Sequence, residues 1–102
     1  MLTSKQRAFL RSLGAKEEAI LMVGKGGMSP ELEKSADEAL AKRELIKGKV
    51  LESSPIDVHA AASQLSDATE SELVAVTGRT FVLYRRNEEE PKIVLPKAKQ
   101  KG

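Results

Sequence analysis

The chain contains no cysteine and no tryptophan, a single histidine, and only three aromatic residues, Phe9, Phe81 and Tyr84. Without cysteine there is no disulfide framework, no thiolate metal site and no thiol nucleophile, a composition suited to a reducing compartment, so cytoplasmic residence is expected. His59 has no second histidine or cysteine with which to hold a metal, and a place one step off an apolar helical stripe suits surface or packing. No metal or other cofactor is expected. Scarce aromatics leave few platforms on which bases could stack. No apolar run approaches the roughly 20 residues of a membrane span, and the N-terminus lacks an apolar signal-peptide core. The expectation is one soluble, unprocessed, monomeric domain without membrane contact.

Charge is plentiful, with 17 basic and 15 acidic side chains and a net charge of +2, but it is segregated. Residues 1–29 hold five basic and two acidic side chains, residues 30–75 five and ten, and residues 76–102 seven and three. Basic ends around an acidic middle suggest one cationic face, and such faces concentrate polyanions. Lys97, Lys99 and Lys101 read equally as a solubilising tail. The domain is therefore drawn over residues 1–96, with residues 97–102 a basic tail expected to be disordered.

The central stretch runs from Ile20 to Leu32: an apolar run ending at Val23, then Gly24-Lys25-Gly26-Gly27, then Ser29-Pro30 as a helix cap with proline at the first helical position. Glycines permit positive φ and bring bare amides to the surface beside a helix N-terminus whose dipole favours anions. Lys25 supplies a counter-charge for a phosphate. The triphosphate loop G-x-x-x-x-G-K-[ST] is not present, and Ser29 stands where the dinucleotide fingerprint needs its third glycine. What remains is a G-x-x-G clamp of the kind that grips a nucleic-acid backbone, or a plain glycine-rich turn.

Around this stretch the periodicity predicts α-β-α-β-α-β-β. Thr3-Ser4-Lys5-Gln6 fits a capping box, an apolar stripe follows through Leu13, and Gly14 is read as a left-handed stop, giving helix one over residues 4–13. Ten helical and five strand residues each span about 15 Å, so a strand running back alongside the helix would bring Lys5 and Arg7 to the glycine loop. Helix two is predicted from Pro30 to about Arg43, with an acidic outer face. Strand two, Leu45 to Leu51, places Ile46, Gly48 and Val50 inward and Lys47 and Lys49 on the other face, either a wet basic surface or solubilising charge. Ser53-Ser54-Pro55 reads as the start of helix three. Leu73–Val76 and Phe81–Tyr84 are strands joined by a Gly78-Arg79 II′ turn, and Lys92–Pro96 a possible edge segment.

The stretches Leu2-Thr3-Ser4-Lys5-Gln6-Arg7, Val23-Gly24-Lys25-Gly26-Gly27, Glu44-Leu45-Ile46-Lys47 and Gly78-Arg79-Thr80-Phe81-Val82-Leu83-Tyr84-Arg85 together resemble the YhbY-like, or CRM-domain, family of RNA-binding proteins. The resemblance spans residues 2 to about 96. It implies an α/β two-layer sandwich similar to the C-terminal domain of translation initiation factor three, with a four-stranded mixed sheet in order 1-2-4-3. It also implies RNA binding through a GxxG loop comparable to that of KH domains, in members that associate with precursor large ribosomal subunits. Matched by position, the loop falls on Gly24, Lys25, Gly26 and Gly27, and the basic first helix on Lys5, Arg7 and Arg11. Two places depart from the family pattern: Gly48, where a larger apolar residue is usual, and the link from Gly14 to Ala19.

The expected function is thus a non-enzymatic RNA-binding ribosome-assembly factor, its partner the ribosomal RNA of the precursor large subunit, with Arg79 joining the helix-one cations and Lys25. About four neutralised phosphates would give a log–log salt slope near −3 on single strands. The alternatives are an enzyme acting on a small phosphorylated ligand and a protein-interaction module using the acidic face of helix two.

Overall fold

The structure, a computed structural model, describes residues 2–96; the tail expected over residues 97–102 lies outside the described residues. The elements are α1 (Ser4–Ala15), β1 (Leu21–Val23), α2 (Pro30–Arg43), β2 (Leu45–Val50), α3 (Val58–Thr69), β3 (Glu72–Thr77) and β4 (Thr80–Tyr84). They form one mixed sheet in the order β1-β2-β4-β3. β1 and β2 are parallel, while β4 runs antiparallel to both β2 and β3. This is the α/β class and strand order that the family resemblance implies, with α1 on the sheet face opposite α2 and α3 rather than all helices in one layer.

Two apolar clusters hold the sheet. On one face Leu21, Val23, Ile46, Val50, Phe81 and Leu83 pack against Ala36 and Leu40 of α2 and Ala61, Ala62 and Leu65 of α3. On the other, Leu45, Val74, Val82 and Tyr84 pack against Leu10, with Phe9, Leu13, Ile93 and Leu95 at the margin. Helix α1 therefore covers part of the face that strand periodicity assigned to Lys47 and Lys49. Lys47 is half-buried beneath it and only Lys49 is fully exposed.

Several local expectations change. Gly14 does not stop α1, which runs one residue further; a Cβ there would lie 2.8 Å from a Val82 methyl, so the glycine lets helix and sheet approach. Helix α3 begins later than Ser53-Ser54-Pro55 indicates, because Asp57 is its cap, its side chain accepting from the Ala60 amide at 2.8 Å. Ser54 instead folds the preceding turn, its hydroxyl accepting from the Ile56 amide. Gly48 is the close approach at which the Phe81 ring crosses β2.

Residues 92–96 form no strand. Glu44, fully buried just after α2, ties this segment down: its carboxylate accepts from the amides of Asn87 at 2.7 Å, Lys92 at 2.9 Å and Ile93 at 2.7 Å. Burial alone would raise the Glu44 carboxyl pKa, but these three bonds and the Arg86 charge outweigh it and hold the group below its ordinary value. The arrangement brings Ile93 and Leu95 onto the second apolar cluster.

Candidate nucleic-acid interface

Because β1, β2 and β3 run the same way, their C-terminal ends meet at one edge of the sheet. There Val23 is in register with Val50, and the Val50 amide donates to the Arg79 carbonyl at 2.8 Å. The glycine loop, the turn after β2 and the Gly78-Arg79 hairpin tip therefore share this edge. Gly78 has φ +59° while Arg79 does not have positive φ, the pattern of a II′ turn.

In the glycine loop the Gly27 amide closes a turn on the Gly24 carbonyl at 2.9 Å. Only Gly27 of the three glycines takes positive φ, +66°, and a Cβ there would also lie 3.0 Å from Pro55 Cγ. Gly26 lies in open space and Gly24 in ordinary contact range of Leu51. Lys25 and Gly26 are exposed, and among the described residues their amides donate to no protein acceptor. The tip thus carries two backbone amides without a protein acceptor and, among the described residues, one unpaired ammonium. Ser29 caps α2 immediately behind, its hydroxyl accepting from the Leu32 amide at 3.1 Å. Glu31 and Glu33 occupy the first turn of α2 and offset part of its N-terminal positive dipole.

The remaining expected site residues divide. Arg79 is at the loop edge, exposed and 3.5 Å from the Glu52 carboxylate, a weak pairing. Arg11 faces the α1-covered side of the sheet, lining a shallow recess with Lys47, Thr77 and Thr80. Lys5 and Arg7 are not brought to the loop. Helix α1 runs from the Glu72–Tyr84 end of the sheet towards Thr77 and Thr80, so its first turn sits at the opposite edge. Strand periodicity had counted five residues running back beside the helix; β1 has three, and α1 lies across a sheet face instead.

Arg7 has a different partner. Val74 is left unpaired by a bulge in β3 between Leu73 and Ala75, and the Arg7 guanidinium donates to the carbonyls of Leu73 and Val74. That contact has no signature in sequence, because a bulge that turns Val74 and Ala75 to one face cannot be told there from ordinary alternation. Glu44, too, carries no local signal beyond following the helix.

The α/β sandwich thus gathers a GxxG turn, a helix N-terminus and a cationic hairpin tip on one edge, an arrangement suited to anions. The model of the CRS1 / YhbY (CRM) domain matches residues 2–85, and the chain belongs to that family. It is 43% identical over 96 residues to the probable RNA-binding protein YqeI of Bacillus subtilis, covering 94% of this chain and all of that one. A probable RNA-binding protein of Methanocaldococcus jannaschii is 34% identical over 98% of this chain and 75% of its own length. The solution structure of the hypothetical protein SAV1595 from Staphylococcus aureus superimposes with a TM-score of 0.78 at 45% identity, covering 94% of this chain and all of that one.

Proposed function

We propose that this chain is a single-domain RNA-binding protein of the cytoplasm, acting on ribosomal RNA of the precursor large subunit during assembly, and that it binds rather than catalyses. The observation that carries the reading is the loop tip, where the Lys25 and Gly26 amides and the Lys25 ammonium are open to solvent at the edge shared with Arg79. Backbone amides and a point charge grip phosphate without reading bases, so affinity at this edge is expected to depend little on sequence. Relatives named as probable RNA-binding proteins over nearly the whole chain support the reading.

Phe81 and Tyr84 are buried in the two cores and offer no ring for base stacking, which leaves only Phe9, partly buried at the margin of the second cluster. With Lys25 and Arg79 each neutralising one phosphate, a short single strand should bind with a log–log salt slope of about −1.4. Fluorescence anisotropy with a ribosomal-RNA fragment tests the reading: Lys25→Glu should weaken binding about equally across unrelated sequences, with thermal stability unchanged. Parental affinity in that variant would remove the loop from the site. Cross-linking in cell extract, followed by sequencing of the bound RNA, tests the ribosomal target; recovery of unrelated RNA only would refute it.

A further inference from the structure

The sheet face beside the loop edge is built differently from the rest of the surface. Side chains alternate along β2, so Lys47 and Lys49 project to the side opposite Gly48 and Val50, which face α2 and α3. In register with Lys49 on β1 stands Met22, whose neighbours Leu21 and Val23 are buried on the other face. Met22 is 51% exposed and Ile20, two residues before it on the same side, 40%. Helix α1 packs on β2, β3 and β4 here, and its C-terminal half borders a recess of about 170 Å³ edged by Arg11, Lys47, Thr77 and Thr80. Beyond it Lys49 on β2 and Met22 and Ile20 at β1 are exposed. Among the described residues, none of Arg11, Lys47 and Lys49 has a carboxylate within ion-pair distance.

Three unpaired cations beside two exposed apolar side chains are an unusual use of an open sheet face. Lysines placed only for solubility do not require Met22 and Ile20 to be left bare beside them. A chain with alternating anionic and flat apolar groups satisfies both, and the face is continuous with the edge that carries Lys25. We infer that a single-stranded RNA segment leaving the glycine loop runs over the exposed face of β1 and β2, its phosphates on Lys49, Lys47 and Arg11 and its bases against Met22 and Ile20. The inference rests on the loop reading for the entry point of the strand. A methionine thioether is a favourable neighbour for an aromatic ring, and this contact supplies what the withdrawn Phe and Tyr rings do not. Duplex RNA fits this surface less well, because its bases are stacked away from contact with Met22 and Ile20.

The loop clamps about four nucleotides, so the face is reached only by a longer strand. Oligouridylates of about four and about ten nucleotides therefore separate the two surfaces. For the parent, the salt slope should steepen from about −1.4 on the short strand to about −3.5 on the long one as three more phosphates are neutralised. Lys47→Gln combined with Lys49→Gln should flatten the long-strand slope by about 1.4 and leave the short strand unaffected. Met22→Ala should weaken the long strand about threefold with no change in slope. Lys34→Gln, on the exposed side of α2, is the control and should change neither. Circular dichroism of each variant establishes that it is folded.

A long-strand slope that is the same in the double lysine variant as in the parent overturns the inference. So does a duplex that binds the parent as tightly as the single strand and is weakened equally by the lysine changes. Failure of the loop reading looks different: Lys25→Glu would then bind the short strand as the parent does, and the long-strand data alone would judge the face. Absence of binding to either strand by the parent overturns both.

Discussion

The Phe81 ring occupies the space a side chain at position 48 would need: a Cβ built on Gly48 lies 2.2 Å from Phe81 Cζ and under 3 Å from both neighbouring ring carbons. Phe81 is fully buried, with Val50, Leu65 and Leu83 in the same cluster, so the ring has no free volume into which to withdraw. Gly48→Ala should therefore cost about 2 kcal/mol through overpacking, lowering the midpoint of urea unfolding without changing its slope. An unchanged midpoint would show that the ring yields.

The Glu44 clamp makes stability depend on pH. Its folded carboxyl titrates below the ordinary value of 4.5, burial being outweighed by three amide hydrogen bonds and the Arg86 charge. The ionised clamp therefore contributes fully above about pH 4.5 and is lost as pH falls through the lower folded value. Glu44→Gln replaces one accepting oxygen with an NH₂ group facing an amide donor, and should cost about 2 kcal/mol at pH 7. Thermal melts across pH 3 to 7 should show the gap between parent and variant shrinking towards the acid end. A gap constant over the range would mean that the carboxylate charge contributes nothing to holding the 87–93 segment.

Glycine substitutions in the loop should separate shape from contact. Gly27→Ala forces a side chain into positive φ, +66°, and against Pro55, so it should lower stability by about 1 kcal/mol and distort the loop. Gly26→Ala meets no atom within 4 Å and needs no positive φ, so the fold should be indifferent to it. If RNA backbone approaches the bare amides closely, Gly26→Ala will nevertheless weaken binding at unchanged melting temperature. Parental affinity in that variant would place the phosphate elsewhere on the edge.

Much of this architecture is legible in the chain because its signals are local. Ser29-Pro30 marks the start of α2 and the apolar spacing carries it to Arg43, as observed. The strand order came from the family resemblance, since periodicity says which side of a strand is buried but not which strand lies beside it. Gly14 was misread because a helix-ending glycine and a close-packing glycine are identical in one dimension; only Val82, distant in sequence, distinguishes them. Ser53-Ser54-Pro55 and Asp57 are two cap signals in succession, and the second prevails because Ser54 bonds within its own turn. For the site, the loop and the Arg79 turn are marked locally by their glycines, and the strand order puts them at one edge. The cations of α1 were not locatable, because an apolar stripe does not reveal which sheet face the helix covers or in which direction it runs.

Arg7 and Lys25 provide the sharpest contrast between a basic residue committed to the fold and one left free at the proposed site. The Arg7 guanidinium is committed to the carbonyls of Leu73 and Val74 at the β3 bulge, on the edge away from the glycine loop. Removing it leaves those carbonyls short of a donor next to the Val74 core contact, so Arg7→Ala should lower stability by about 1–2 kcal/mol. RNA affinity at temperatures well below the melt, and the slope of its salt dependence, should stay at parental values. Lys25→Glu should do the reverse, losing affinity with stability intact, because its ammonium is exposed and paired with nothing among the described residues. A flattened salt slope by about 0.7 in Arg7→Ala would instead mean that a phosphate reaches the far edge, and the bound RNA would then have to wrap from one edge of the sheet to the other.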